Sequence, residues 1–268
     1  MKLFKQIFDF YLNSSIHVAL SCYALVRVTF HVFHIHYNEP MALFVFFGTI
    51  VGYNFVKYDA LVRVKRKPVG IQLKIIAVLS FLSLISAVYY FFYLKLITQI
   101  VSAGIFSITA LYTLPFFPNR RNARNWAGVK IYIVALCWVG ATLVLPIINA
   151  EIPLTTNFFI KFIQRFVLVF VLILVFEILD LANDDPHLKT VPQTIGVKKT
   201  KILGFLLLIP FWIVGILSFT FHDLMINLIM VIMLMLFIAF ANPNRSKYYT
   251  SFWVESVPIF WWLMMVLL

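Results

Sequence analysis

Acidic residues are scarce: 10 Asp and Glu stand against 22 Lys and Arg in 268 residues, and charged residues of both signs make up 12% of the chain. With 63% hydrophobic residues and a mean hydropathy of +0.97, so little charge excludes a soluble globular domain. There are two cysteines, Cys22 and Cys137, both inside apolar runs. They support neither a disulfide framework nor a cysteine metal centre and read as small packing residues. Strand-like alternation is also missing. The apolar runs are continuous, which excludes a β-barrel and leaves membrane-spanning helices. No basic tract stands apart from the spans, so the net charge of +12 implies positive loops at a membrane and no nucleic-acid partner.

The apolar runs predict nine spans, at about 15–37, 41–57, 73–93, 96–115, 128–148, 157–181, 202–221, 224–241 and 251–268. Residues 1–268 then form a single polytopic, all-α membrane domain. Basic residues gather in alternate loops: Lys2 and Lys5; Arg63, Lys65, Arg66 and Lys67; Arg120, Arg121 and Arg124; Lys189, Lys198, Lys199 and Lys201; Arg245 and Lys247. The opposite turns are short, and only Lys95 among them is basic. This asymmetry predicts a cytoplasmic N-terminus, cytoplasmic long loops and an outside C-terminus. Met1–Asn13 is too polar for the start of a cleavable signal peptide. Compactness and the lack of a targeting segment point to a bacterial cytoplasmic membrane.

Four of the ten acidic residues fall within nine positions: Glu177, Asp180, Asp184 and Asp185. Glu177, Asp180 and Asp184 are spaced i, i+3, i+7 and share one face of a continuing helix. An ionised side chain at the bilayer centre costs roughly 2.5–3.5 kcal/mol, less near the ends. The row therefore needs a cation. A divalent metal held partly through water and substrate phosphate suits it, and so does simple pairing with Lys189, Lys198 and Lys199.

The layout resembles the UbiA superfamily of intramembrane prenyltransferases. Asp180 and Asp184 match that family's second D-x-x-x-D motif, followed by a K-T-x-P segment at Lys189, Thr190, Val191 and Pro192 and then Gly196. The stretch from Tyr112 to Arg120 and Arg121, then Trp126 and Gly128, is similar to the family's loop between the fourth and fifth helices. The first motif departs from the pattern N-x-x-x-D. Asn54 is present, but position 58 is Tyr58 and Asp59 comes one residue late. On a helix, positions 54 and 59 are about 140° apart and cannot serve one metal unless the helix unwinds. Lys57, one turn after Asn54, either takes over part of a metal's charge role or extends to the interface beside Arg63.

The resemblance implies nine helices around a central cavity and an enzyme that ionises an allylic diphosphate with Mg²⁺. It would transfer the prenyl group to an acceptor that the sequence does not specify. It places the metal on Asp180 and Asp184, helped by Glu177, Asn54 and Asp59, and the diphosphate on Arg120, Arg121, Lys189 and Lys57. The degraded first motif favours a different class, a catalytically inactive relative that binds lipid or acts as a scaffold. A small-molecule transporter lined by Arg27, Arg165 and Glu177 is the third reading, against which the tiny outer turns weigh.

Overall fold

A computed structural model describes residues 2–64, 70–113, 128–182, 184, 188–216 and 221–268. Every regular element among them is helical. The helices are α1 (Lys2–Asn13), α2 (Ile16–Val32), α3 (Glu39–Val64), α4 (Ile71–Phe91), α5 (Leu96–Thr113), α6 (Lys130–Val139), α7 (Leu145–Asn149), α8 (Thr156–Asp180), α9 (Val191–Ile216), α10 (Phe221–Phe240) and α11 (Val257–Leu267). Two π-helical turns interrupt spans. Gly140–Val144 joins α6 to α7, and Tyr249–Val254 precedes α11.

Seven of the described helical segments are long and apolar enough to cross a bilayer. The pair Leu3–Asn13 and Ile16–Val32, bent by 54°, would make an eighth, and Leu96–Leu111 is a shorter apolar helix. The expected number of nine is thus not reached on length and composition. The differences are local. α2 ends at Val32, five residues before the expected edge, because His34 turns left-handed at φ 53. α3 runs seven residues beyond position 57, and α9 begins eleven residues before 202.

The burial pattern sets the layers. α8 is central: 72% of its apolar window is buried, against 17% for α4. Leu168, Val171, Leu174, Val175 and Ile178 fill the interior, while Val78, Phe81, Leu82 and Ile85 of α4 face outward. In lipid the outward face costs little, and association depends on close packing. α2 packs against both α3 and α11, so the first and last spans are neighbours, and α8 packs on α6, α9 and the Tyr249–Val254 turn. Near α8's first turns, Arg165 (4% exposed) donates from Nη1 to the Leu25 carbonyl and to Thr142 Oγ1, both at 3.1 Å, over the Trp261 ring.

Candidate functional site

The acid row ends α8, where the apolar face that centres the helix gives way to polar residues. The Asp184 N–H donates to the Asp180 carbonyl at 2.9 Å, so the helical spacing persists past the assigned end and positions 180 and 184 remain one turn apart. Asp180 is exposed and Asp184 half-buried, and Asp184 Oδ2 is a buried oxygen without a partner. Glu177 is buried (3% exposed), and its Oε2 accepts the Val191 N–H at 3.0 Å. That bond ties the Lys189–Pro192 strap across the helix end. The strap is shaped by two left-handed residues, Lys189 at φ 46 and Gly196 at φ 81. Gly196, with ψ 157, is a conformation open only to glycine, and it kinks α9 there. Thr190 is buried with its Oγ1 unpartnered, while its N–H donates to Gln193 Oε1 at 2.9 Å.

Among the described residues no three His, Cys, Asp or Glu side chains form a group that could hold a metal alone. Asp180 and Asp184 as a pair still suit Mg²⁺, which binds through one or two carboxylates and takes its other ligands from water and substrate phosphate. The unpartnered Asp184 oxygen fits that use. Among the described residues, Lys130, at the start of α6, is a cation whose field reaches both Glu177 and Asp180. Nothing in the spacing of the sequence points to Lys130, which lies roughly 50 residues upstream of the row.

The other first-motif residues are placed differently. Asn54 (4% exposed) is enclosed in a three-way staple. Its Oδ1 accepts from Ser15 Oγ at 2.8 Å, and its Nδ2 donates to the Ser14 carbonyl at 3.0 Å and to Ser80 Oγ at 2.9 Å. The bend between α1 and α2, where Ser15 is left-handed at φ 62, is thereby pinned to α3 and α4. α3 stays helical from Glu39 to Val64, so it does not unwind between positions 54 and 59. Lys57 Nζ donates to the Asn13 carbonyl at 3.2 Å, and its field acts on Glu255. The Asp59 side chain, Arg120, Arg121 and Asp185 lie outside the described residues. Lys189 is exposed on the strap.

Glu255 is the second residue missed. Its signal was a lone acid inside the last apolar run. It follows the Tyr249–Val254 π turn, a feature frequent at functional sites. His17 locks that turn. Its Nε2 donates to the Phe252 carbonyl at 2.9 Å, so its Nδ1 accepts from Tyr11 Oη at 2.6 Å, and the ring stacks on Phe252.

Neither a protein-family model nor a curated protein matches the sequence. Solved structures do match. A UbiA homologue from Archaeoglobus fulgidus bound to GPP and Mg²⁺ aligns with a TM-score of 0.65 at 14% identity, over 96% of this chain and 98% of that one. The chain has the UbiA fold. A UbiA homologue from the same organism bound to DMAPP and Mg²⁺ gives 0.65 at 11% identity, over 96% and 98%. The apo homologue from Aeropyrum pernix K1 gives 0.65 at 13%, over 96% and 97%. The UbiA fold thus extends over nearly the whole chain.

Proposed function

We propose that this UbiA-fold membrane protein transfers a prenyl group from an isoprenoid diphosphate to an acceptor, with Mg²⁺ held at Asp180 and Asp184. The observation that carries the proposal is the carboxylate pair one turn apart, with a buried Asp184 oxygen lacking a partner, under a strap anchored by Glu177. Neighbours of the same fold bind GPP or DMAPP with Mg²⁺, which supports the same ligand class here.

Bound Mg²⁺ supplies charge stabilisation to a departing diphosphate. Asp180 and Asp184 hold the ion. Glu177 keeps the strap closed, so that Lys189 reaches the diphosphate from the strap; Arg120 and Arg121, outside the described residues, are the further diphosphate contacts in this proposal. Lys130 balances the charge of the row when no metal is bound. The site faces the cytoplasm in this proposal, with the C-terminus outside, as the basic loops direct, and the whole chain acts as one membrane domain. The Asn54 staple, and the lack among the described residues of three acids grouped closely enough to hold a metal, favour a second reading, a lipid-binding relative without turnover.

The test is geranyl diphosphate binding to the full chain in nanodiscs, with and without Mg²⁺, beside the double variant Asp180→Asn/Asp184→Asn. Mg²⁺-dependent binding that the variant loses is expected. A well-folded wild type that binds no geranyl diphosphate refutes the transferase reading. Binding without transfer to any acceptor favours the second reading.

A further inference from the structure

α9 and α10 pack closely at Gly204, where a Cβ would meet Ile238 Cδ1 at 3.0 Å. Three residues before Gly204 and one after Ile238, the two helices border a cavity of about 350 Å³, whose lining includes Lys201, Ala239, Phe240, Asn242 and Arg245. That volume is in the range of a small-molecule site. Lys201 Nζ donates to the Ala239 carbonyl at 2.8 Å, and Arg245 Nε to the Phe240 carbonyl at 3.2 Å. The Arg245 guanidinium also lies over the Tyr249 ring, 5.6 Å from its centroid. Two cations are thereby fixed on the cavity wall, and carbonyls at the end of α10 that would repel an anion are covered. Each cation keeps further N–H donors, since an ammonium and a guanidinium carry more than the one used here. No acid lines the cavity, and neither cation makes an ion pair among the described residues. One wall is apolar: Phe240 is 56% exposed, and Ile202 and Leu206 of α9 and Leu236 of α10 are exposed beside it along the helices. In a membrane such side chains meet acyl chains.

We propose that this cavity binds the phosphate headgroup of an anionic phospholipid, whose acyl chains run along the exposed apolar residues of α9 and α10. The phosphate accepts from Lys201 and Arg245, and charge-assisted bonds of this kind are the strong ones. Asn242 Oδ1 accepts the Asn244 N–H at 2.9 Å, which shapes the loop that closes the polar end of the cavity. A zwitterionic lipid would set its own ammonium beside two fixed cations, so an anionic headgroup is preferred. A soluble phosphate would leave the apolar wall beside Phe240 without a partner. The cavity shares no residue with the acid row or its strap, so the inference does not depend on the transferase reading.

The test is native mass spectrometry of the full chain in non-ionic detergent, titrated with dioleoylphosphatidylglycerol or dioleoylphosphatidylcholine. The variants are Lys201→Gln, Arg245→Gln, Ala239→Trp and Lys74→Gln. Ala239 is exposed, so tryptophan fills the cavity and keeps both cations, while Lys74→Gln removes the same charge from an exposed site on α4. Wild type should retain phosphatidylglycerol about fivefold or more tightly than phosphatidylcholine, and loss of either cation should weaken phosphatidylglycerol by about fivefold. Ala239→Trp should weaken it at least as much, and Lys74→Gln should leave it unchanged. Equal retention of the two lipids, wild-type affinity in Ala239→Trp, or an equal loss in Lys74→Gln overturns the proposal. The glutamine variants also uncap α10. Lower thermal stability in lipid-free detergent with unchanged lipid affinity would therefore assign both cations to the helix end alone and overturn it too. Inorganic phosphate that raises the wild-type unfolding midpoint as much as phosphatidylglycerol does, and fails to do so in Lys201→Gln, would give the cavity to a soluble anion and refute the lipid occupant.

Discussion

Replacing Asn54 with aspartate separates two roles that the sequence left open. If position 54 serves a metal, the substitution adds a carboxylate and strengthens Mg²⁺-dependent binding. If it serves as the staple seen here, the variant loses both Nδ2 donations, to the Ser14 carbonyl and to Ser80 Oγ, and keeps only the bond from Ser15. Ser80 Oγ already donates to the Ile76 carbonyl, so it does not readily reverse. Two lost bonds cost about 1 kcal/mol each, and leaving the Ser14 carbonyl unpaired beside a buried carboxylate adds about 1–3 kcal/mol. The sum is about 3–5 kcal/mol. At roughly 2–4 °C per kcal/mol for a chain of this size, the thermal unfolding midpoint in nanodiscs should fall by on the order of 10 °C. Asn54→Gln, with its donors displaced, should lie between the two. If the midpoint of N54D stays within about 2 °C of wild type, less than one hydrogen bond is worth, and geranyl diphosphate binds more tightly with Mg²⁺, the staple assignment is refuted.

Three further outcomes follow from the same structure. Gly196→Ala meets no neighbour within 4 Å, yet forces a Cβ onto φ 81, ψ 157, so it should cost roughly 1–3 kcal/mol and loosen the strap; unchanged protease resistance around residues 189–200 would contradict this. Glu177→Gln keeps an acceptor for the Val191 N–H, so stability should change by less than about 1 kcal/mol, and donor binding should weaken far less than in Asp180→Asn. Equal losses in the two variants would make Glu177 a metal ligand. Asp9 of α1, ahead of the first expected span, bonds Lys247 and Tyr248, and these two hold its carboxyl below the ordinary range. A carboxyl lowered in the folded state stabilises it above the unfolded value and loses that contribution as pH falls through the folded value. Wild type should therefore protect α1 amides better than Asp9→Asn at pH 6, and the gap should begin to narrow as pH falls below about 4 toward the folded value. A gap that does not narrow at all on acidification counts against the ion pair.

What was legible in the sequence was local. Uninterrupted apolar runs announced membrane helices because a bilayer leaves the backbone no other partner. Most edges of the later spans came within a few residues, since hydropathy changes where the chain leaves lipid. The acid row and its strap could be read because i, i+4 spacing is a property of one helix, and Gly196 stood out within the strap. The first span was harder to read, because the break at Asn13–Ser15 depends on Asn54, about 40 residues away.

The amino-acid sequence by itself thus determined the class of the protein, the acid-ended α8 and the resemblance to the UbiA pattern. Tertiary structure decided which polar side chains are already used and which are left to act. Asn54 is engaged by Ser14, Ser15 and Ser80, and His17 by Tyr11 and, across 235 residues, by Phe252. Glu255, by contrast, has no donor at its carboxylate among the described residues. The physical reason is that hydropathy and helical spacing are properties of neighbouring residues. The satisfaction of a buried polar group depends on partners that only packing brings near.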